Sequence, residues 1–181
     1  MKRVQPIRDK AKIEEMKTEL LKRGYRDYML FVIGINTGLR IGDILDLKVS
    51  DVKDKTHITL NEQKTTKAKR FMINEQLKEE IDRYINGMHP QDYLFVSQKG
   101  ENRPISRVQA YRILNSIAKE LGLEEIGTHT LRKTFGYWHY KKYKDVAILQ
   151  SLFNHSSPSV TLEYIGVNQD VMDKTIESFY L

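Results

Sequence analysis

The sequence contains no cysteine, so disulfides and thiolate metal sites are excluded. Its five histidines form no H-E-x-x-H or comparable ligand pair, and neither a metal nor any other cofactor is expected. The phosphate-cradling loop G-x-x-x-x-G-K-[ST] is also missing, so no ATP-driven chemistry is written into the chain. No apolar run approaches the roughly 18 residues of a membrane-spanning helix. The start, "MKRVQPIRDKAKIEEMK", has no apolar core of the kind a secretory signal needs, so a cytoplasmic protein without a membrane partner is expected. With four prolines and ten glycines there is no Pro/Gly-rich linker, and repeats and low-complexity tracts are absent. Residues 1–181 therefore read as a single domain.

The apolar share, 40% of 181 residues, is enough to build a core. Thirty Lys plus Arg against 24 Asp plus Glu leave a net charge of +6 and a pI near 9.3. That balance favours a polyanionic partner such as nucleic acid, although an ordinary solvated basic surface would have the same composition.

Hydrophobic spacing predicts the elements. "RDKAKIEEMKTELLKRG" places Ile13, Met16, Leu20 and Leu21 on one stripe and stops at Gly24. "YRDYMLFVIGIN" is apolar on most sides and ends at "NTG", where Asn36 and Gly38 can take positive φ. "RIGDILDL" resumes helical spacing and puts Arg40 at a helix start. "THITL" and "RFMI" alternate with a period of two, and "NEQKTTKAK" between them predicts a β-hairpin with a basic tip. "NEQLKEEIDRYING" is helical, while "YLFV" fits either a third strand or a buried turn. "SRVQAYRILNSIAKELG" has Ser106 as N-cap, a stripe of Val108, Tyr111, Leu114, Ile117, Ala118 and Leu121, and Gly122 as stop. "HTLRKTFGYWHYKKY", "VAILQSLF", "SPSVTLEYI" and "QDVMDKTIESFYL" give four further helices, the third with Ser157 as N-cap and Pro158 at its first position. The expected class is mainly α with a small antiparallel sheet.

Within these frames "TGLR" delivers Arg40 from a glycine turn, and "HTLR" sets His129 and Arg132 three apart on one helix face. A guanidinium is permanently charged, and its planar fork matches two phosphate oxygens, so a pair of arginines can hold a phosphodiester without a metal. Read singly, each residue has an ordinary account. Arg40 could pair with Asp43 across one helical turn, Lys64 could be a solvated hairpin charge, His155 a cap, and Tyr164 part of a core.

Taken in order, "NTGLRIGDILDLKVSDV", "HTLRKTF" and "LFNHSSPSVTLEYIGV" resemble the three signature boxes of the tyrosine recombinase (phage integrase) family's catalytic domain. The resemblance covers roughly residues 10–175. It extends to spacing: Arg40 to Lys64 is 24 positions, Arg132 to His155 is 23, and His155 to Tyr164 is nine.

The resemblance implies double-stranded DNA as partner, no small-molecule substrate, and the family's DNA breaking and rejoining fold. It implies that Arg40 and Arg132 grip the scissile phosphate while Tyr164 attacks phosphorus, leaving a 3′-phosphotyrosyl link and a free 5′-hydroxyl. Lys64 is then the general acid for the 5′-oxygen, and His129 and His155 bond the phosphate or move the tyrosine's proton. Asp43, where the family often has glutamate, orients Arg40 or His129. Since a free phenol titrates near pH 10, two arginines and two histidines are expected to ease its ionisation.

The chain departs from the pattern at Asn154, where relatives commonly have Gly, and Asn tolerates a left-handed backbone. Family members also usually carry an N-terminal core-binding domain, which this sequence is expected to lack. A dimer or tetramer on DNA is expected, with Val171, Met172, Ile176 and Phe179 docking on a neighbouring subunit or packing at home. Two further functions share parts of this pattern: type IB topoisomerase-like relaxation, and a DNA-binding regulator that does not cleave.

Overall fold

The computed structural model describes residues 4–61 and 68–180. Helix α1 (Lys10–Arg23) starts where the Asp9 carboxylate accepts the Ala11 N–H at 2.8 Å. It turns Ile13, Met16 and Leu20 inward, whereas Leu21 is half exposed and lies off the predicted stripe. Helix α2 (Tyr25–Thr37) is buried along Met29–Gly34 and ends at Gly38, whose φ of 66° is the left-handed conformation expected there. Helix α3 (Ile41–Leu45) follows at once, with Arg40 as its N-cap residue.

Strands β1 (His57–Asn61) and β2 (Ala68–Met72) form the antiparallel hairpin, in register from His57↔Met72 to Asn61↔Ala68. Ile58 and Phe71 face each other across it and are buried. The predicted basic tip, Lys64 included, lies outside the described residues. "YLFV" is a buried turn and not a strand: Leu94 and Phe95 are fully buried, and only single bridges, Lys48↔Tyr93 and Val96↔Pro104, flank them. The Tyr84 hydroxyl donates to the Leu94 carbonyl and closes this turn.

Helix α4 (Glu75–Tyr84) is capped by Asn74, whose side chain accepts the Leu77 N–H. Helix α5 (Arg107–Glu120) is held by a reciprocal box: Ser106 Oγ accepts the Gln109 N–H, and the Gln109 side chain accepts the Ser106 N–H. Its buried face is Ala110, Leu114, Ile117 and Ala118. The expected stripe is corrected at Val108 and Tyr111, which are 57% and 46% exposed. The four inward residues share one side of a 3.6-residue helix; Val108 falls on the far side and Tyr111 at the margin.

Helices α6 (Thr128–Tyr143), α7 (Val146–Phe153), α8 (Pro158–Ile165) and α9 (Val167–Glu177) complete the described elements. Helix α6 joins two apolar clusters. Its Leu131 belongs to the main one, built with α1, α2 and α5, and its Tyr137 to a smaller one with Leu149, Phe153, Ile165 and Val167. Two glycines permit this double contact. A β-carbon on Gly34 would fall 2.5 Å from Leu131 Cδ1, and one on Gly136 would fall 2.6 Å from Ile165 Cγ2. Helix α9 is tied at its base, where Asp170 accepts from the Tyr137 hydroxyl at 2.7 Å and from Arg8 Nε at 2.9 Å. Beyond that tie Val171, Met172, Ile176 and Phe179 are exposed, so they do not pack at home. Among the described residues no helix is long and apolar enough to cross a membrane.

Candidate active site

Three chain segments carry the candidate residues, and Arg132 binds them together. The Thr37 hydroxyl donates to Ile33 O and accepts the Leu39 N–H, fixing the turn that ends α2 and presents Arg40 to solvent. Arg132, on the first turns of α6 and 5% exposed, donates through Nη1 to the Gly38 carbonyl at 2.6 Å and through Nη2 to the Phe153 carbonyl at 3.1 Å. Its guanidinium carbon also lies 4.2 Å from the Phe153 ring centroid. The α2–α3 turn, α6 and the end of α7 are thereby locked to one another.

After Phe153 the chain reverses at Asn154, which takes the left-handed conformation (φ 57°, ψ 45°) expected of it. The His155 N–H returns to Gln150 O at 3.1 Å, and Gln150 Nε2 donates to the His155 carbonyl at 3.3 Å. Helix α8 then starts with Pro158 at its first position, Ser157 Oγ accepting the Val160 N–H. The tight reversal folds the nine-residue interval back on itself: the His155 and Tyr164 rings meet edge to face at 5.0 Å. Phe153 packs against both, at 5.5 Å and 5.7 Å.

The charges of Arg40 and Arg132 both reach His129, His155 and Tyr164. Burial brings Arg132 down to about 10, with Tyr164 and Asp43 resisting and Arg40 assisting, so it remains charged at neutral pH. Burial depresses His129, with Lys133, Arg132 and Arg40 adding to the effect, and His155 is lowered by burial together with Arg132 and Arg40. In both imidazoles the shift favours the neutral form. Tyr164 is raised above its ordinary value because burial outweighs the pull of Arg132 and Arg40. The two arginines ease ionisation as expected, but burial outweighs them, and the shifts of the two histidines favour their uncharged forms. The resting phenol is protonated.

Asp43 makes no ion pair with Arg40; its field acts on Arg132. Lys64 lies outside the described residues, but the hairpin is moored beside the site, Lys69 Nζ donating to Ser151 O at 3.3 Å.

Sequence reasoning missed three groups. The Gly38 carbonyl acts through its backbone, and Thr161, fully buried, holds its hydroxyl 3.1 Å from His155 Nδ1. Neither announces itself in spacing. Lys133 does: it stands four residues after His129, hence on the same helix face, and its Nζ lies 4.9 Å from the Tyr164 ring centroid.

The chain has relatives in sequence and in fold. The phage integrase family pattern spans residues 9–170. A probable integrase/recombinase, YoeC of Bacillus subtilis (strain 168), is 54% identical over 167 residues, covering 92% of either chain. The tyrosine recombinase XerC of Staphylococcus epidermidis RP62A is 28% identical over 159 residues, 84% of this chain but 53% of XerC. The chain thus spans about half the length of that relative. Among solved structures, XerA recombinase superposes with a TM-score of 0.75 at 21% identity, over 99% of this chain and 68% of XerA. XerH site-specific recombinase bound to its difH substrate gives 0.71 at 22% identity, over 90% and 50%. With the family pattern running through every element that carries a site residue, the chain belongs to the phage integrase family, the tyrosine recombinases that cut and rejoin DNA.

Proposed function

We propose that this chain cleaves and reseals duplex DNA at specific sites, with Tyr164 as the nucleophile. The observation that carries the reading is the meeting of Tyr164 with His155, Arg132 and the field of Arg40 at one place, from segments far apart in sequence. In this reading the two guanidiniums hold the non-bridging oxygens of the scissile phosphate and offset the charge that builds on them. The Tyr164 oxygen attacks phosphorus, a P–O bond to tyrosine forms, and the bond from phosphorus to the 5′-oxygen breaks. The phenol proton passes to a neutral imidazole, a role that falls to His155, whose ring meets Tyr164, or to His129. The departing 5′-oxygen takes a proton from Lys64. One phosphate ester replaces another, so rejoining needs no ATP. Asp43 assists by steadying the charge of Arg132.

Residues 1–181 act in this reading as one catalytic unit on double-stranded DNA. Strand exchange needs more than one copy, and the exposed apolar positions of α9 suit docking on a neighbouring subunit. A nicked suicide duplex tests the reading, since the short 5′-fragment released on cleavage cannot return and a covalent protein–DNA adduct accumulates. An adduct with the native chain and none with Tyr164→Phe is the expected result. DNA binding without an adduct on any duplex would leave only a non-cleaving DNA binder. Relaxation of supercoiled plasmid with no joining of two sites would point to a topoisomerase-like enzyme.

A further inference from the structure

Lys133 is a buried charged side chain, 8% exposed, that the reading above leaves without a task. Taking an ammonium out of water is costly, and an apolar side chain of similar length would fill the same space without that cost. Its position is specific. Nζ stands over the face of the Tyr164 ring, 4.9 Å from the centroid, and among charged groups its charge acts most strongly on His129, one helical turn back.

The titratable groups shown to act on or meet the Tyr164 side chain are Arg40 from the start of α3, Arg132 and Lys133 from α6, and His155 from the turn before α8, with His129 next to them in the fields of Lys133, Arg132 and Arg40. Arg132 already gives donors to two backbone carbonyls. When a phosphodiester enters, its negative charge opposes the fields of Arg40 and Arg132 at the tyrosine. A further cation on the ring face adds a hold on the phenol beside those two arginines.

We propose that Lys133 is the electrostatic partner of the nucleophile, its ammonium stabilising the Tyr164 phenolate as the proton leaves during cleavage and again as the phenolate departs during rejoining. This rests on Tyr164 being the nucleophile. Lys133 works through the Tyr164 ring and is a positioning residue, distinct from the acid that serves the 5′-oxygen.

The test compares the native chain with Lys133→Met, Lys133→Gln and Lys133→Arg, measuring single-turnover cleavage of the suicide duplex against pH. In parallel, the free proteins carrying 13Cζ-tyrosine are titrated by NMR, the Tyr164 resonance being assigned from its loss in Tyr164→Phe. Removing one nearby charge should slow cleavage at pH 7 by about 10- to 100-fold. The rising limb of the rate profile and the phenol's midpoint should both move to higher pH in the neutral variants, and Lys133→Arg should restore them. Unchanged profiles and midpoints in both neutral variants would overturn the proposal. So would full rescue by a duplex with sulfur at the bridging 5′ position, because a thiolate leaves without a proton and rescue would make Lys133 the leaving-group acid. If the native chain formed no adduct at all, the Tyr164 reading would fall, and the NMR midpoints would still support or refute the coupling of the two side chains.

Discussion

The imidazole of His155 meets the phenol of Tyr164 edge to face, with ring centroids 5.0 Å apart. Behind it, the Thr161 hydroxyl lies 3.3 Å from the Ser157 carbonyl and 3.1 Å from His155 Nδ1; when it donates to the carbonyl, it accepts from Nδ1. That assignment puts the ring proton on Nδ1 and leaves Nε2 as a free base. Burial and the charges of Arg132 and Arg40 favour the neutral ring, the form that could take a proton from the nucleophile.

Thr161→Val keeps the shape of this fully buried side chain and removes the acceptor. The ring can then adopt either tautomer, and its Nδ1 loses a partner. Adduct formation should fall about tenfold and stability by about 1–2 kcal/mol. Single-turnover cleavage and urea unfolding measure the two effects.

Arg132→Lys retains a positive charge but loses the planar fork that reaches Gly38 O and Phe153 O together. Cleavage should drop by about 10²- to 10³-fold. DNA affinity, followed by fluorescence anisotropy at fixed salt, should change far less, because phosphate contacts along the duplex dominate binding. Equal losses in both would show that Arg132 serves binding alone.

At Gly136 an added methyl would come within 2.6 Å of Ile165 and 2.8 Å of Phe153, with no unusual backbone angle involved. Gly136→Ala must therefore push α8 from α6 and carry Tyr164 with it. Overpacking of this kind costs about 1–3 kcal/mol. Adduct yield should fall while DNA binding persists; a native adduct yield would mean that α8 reaches its position independently of α6.

Stability should decline on both sides of neutrality, for opposite reasons. His129, His139 and His155 are depressed by burial, so the unfolded chain binds protons more readily. Their contribution is complete above the ordinary histidine value near 6.5 and is lost as pH falls below it. Tyr84 and Tyr137 are raised to about 12, chiefly by burial, so theirs is complete below pH 10 and lost between 10 and 12. Urea midpoints across this range should trace a plateau with two shoulders, and Tyr84→Phe should flatten the alkaline one.

Met172→Ser with Ile176→Ser should leave the unfolding temperature nearly unchanged, since both side chains are at least half exposed. The number of protein copies held on a two-site duplex, read by mass photometry, should fall. A large loss of thermal stability would instead mean that α9 packs against its own chain.

Helix limits, caps and the hairpin were legible residue by residue because they depend on neighbours in sequence. Ser106 and Ser157 cap where their type and position say they should, and Gly38 and Asn154 take the left-handed turns their residue types permit. The candidate site was legible through the resemblance of three sequence boxes to a known family, which singled out Arg40, His129, Arg132, His155 and Tyr164 together. Legibility failed where the answer depended on which face met which. Val108 and Tyr111 fit a helical stripe, yet tertiary packing turned the neighbouring face inward.

Chain order and residue chemistry alone thus determined the elements, their punctuation and the set of groups able to handle a phosphodiester. Tertiary structure decided that Arg132 joins Gly38 to Phe153, that Thr161 orients His155, that Lys133 stands over Tyr164, and that the resting phenol keeps its proton. The reason is physical. Caps and turns are set by interactions within a few residues, whereas desolvation and charge fields add over every segment that folds around a group, and those segments lie far away along the chain.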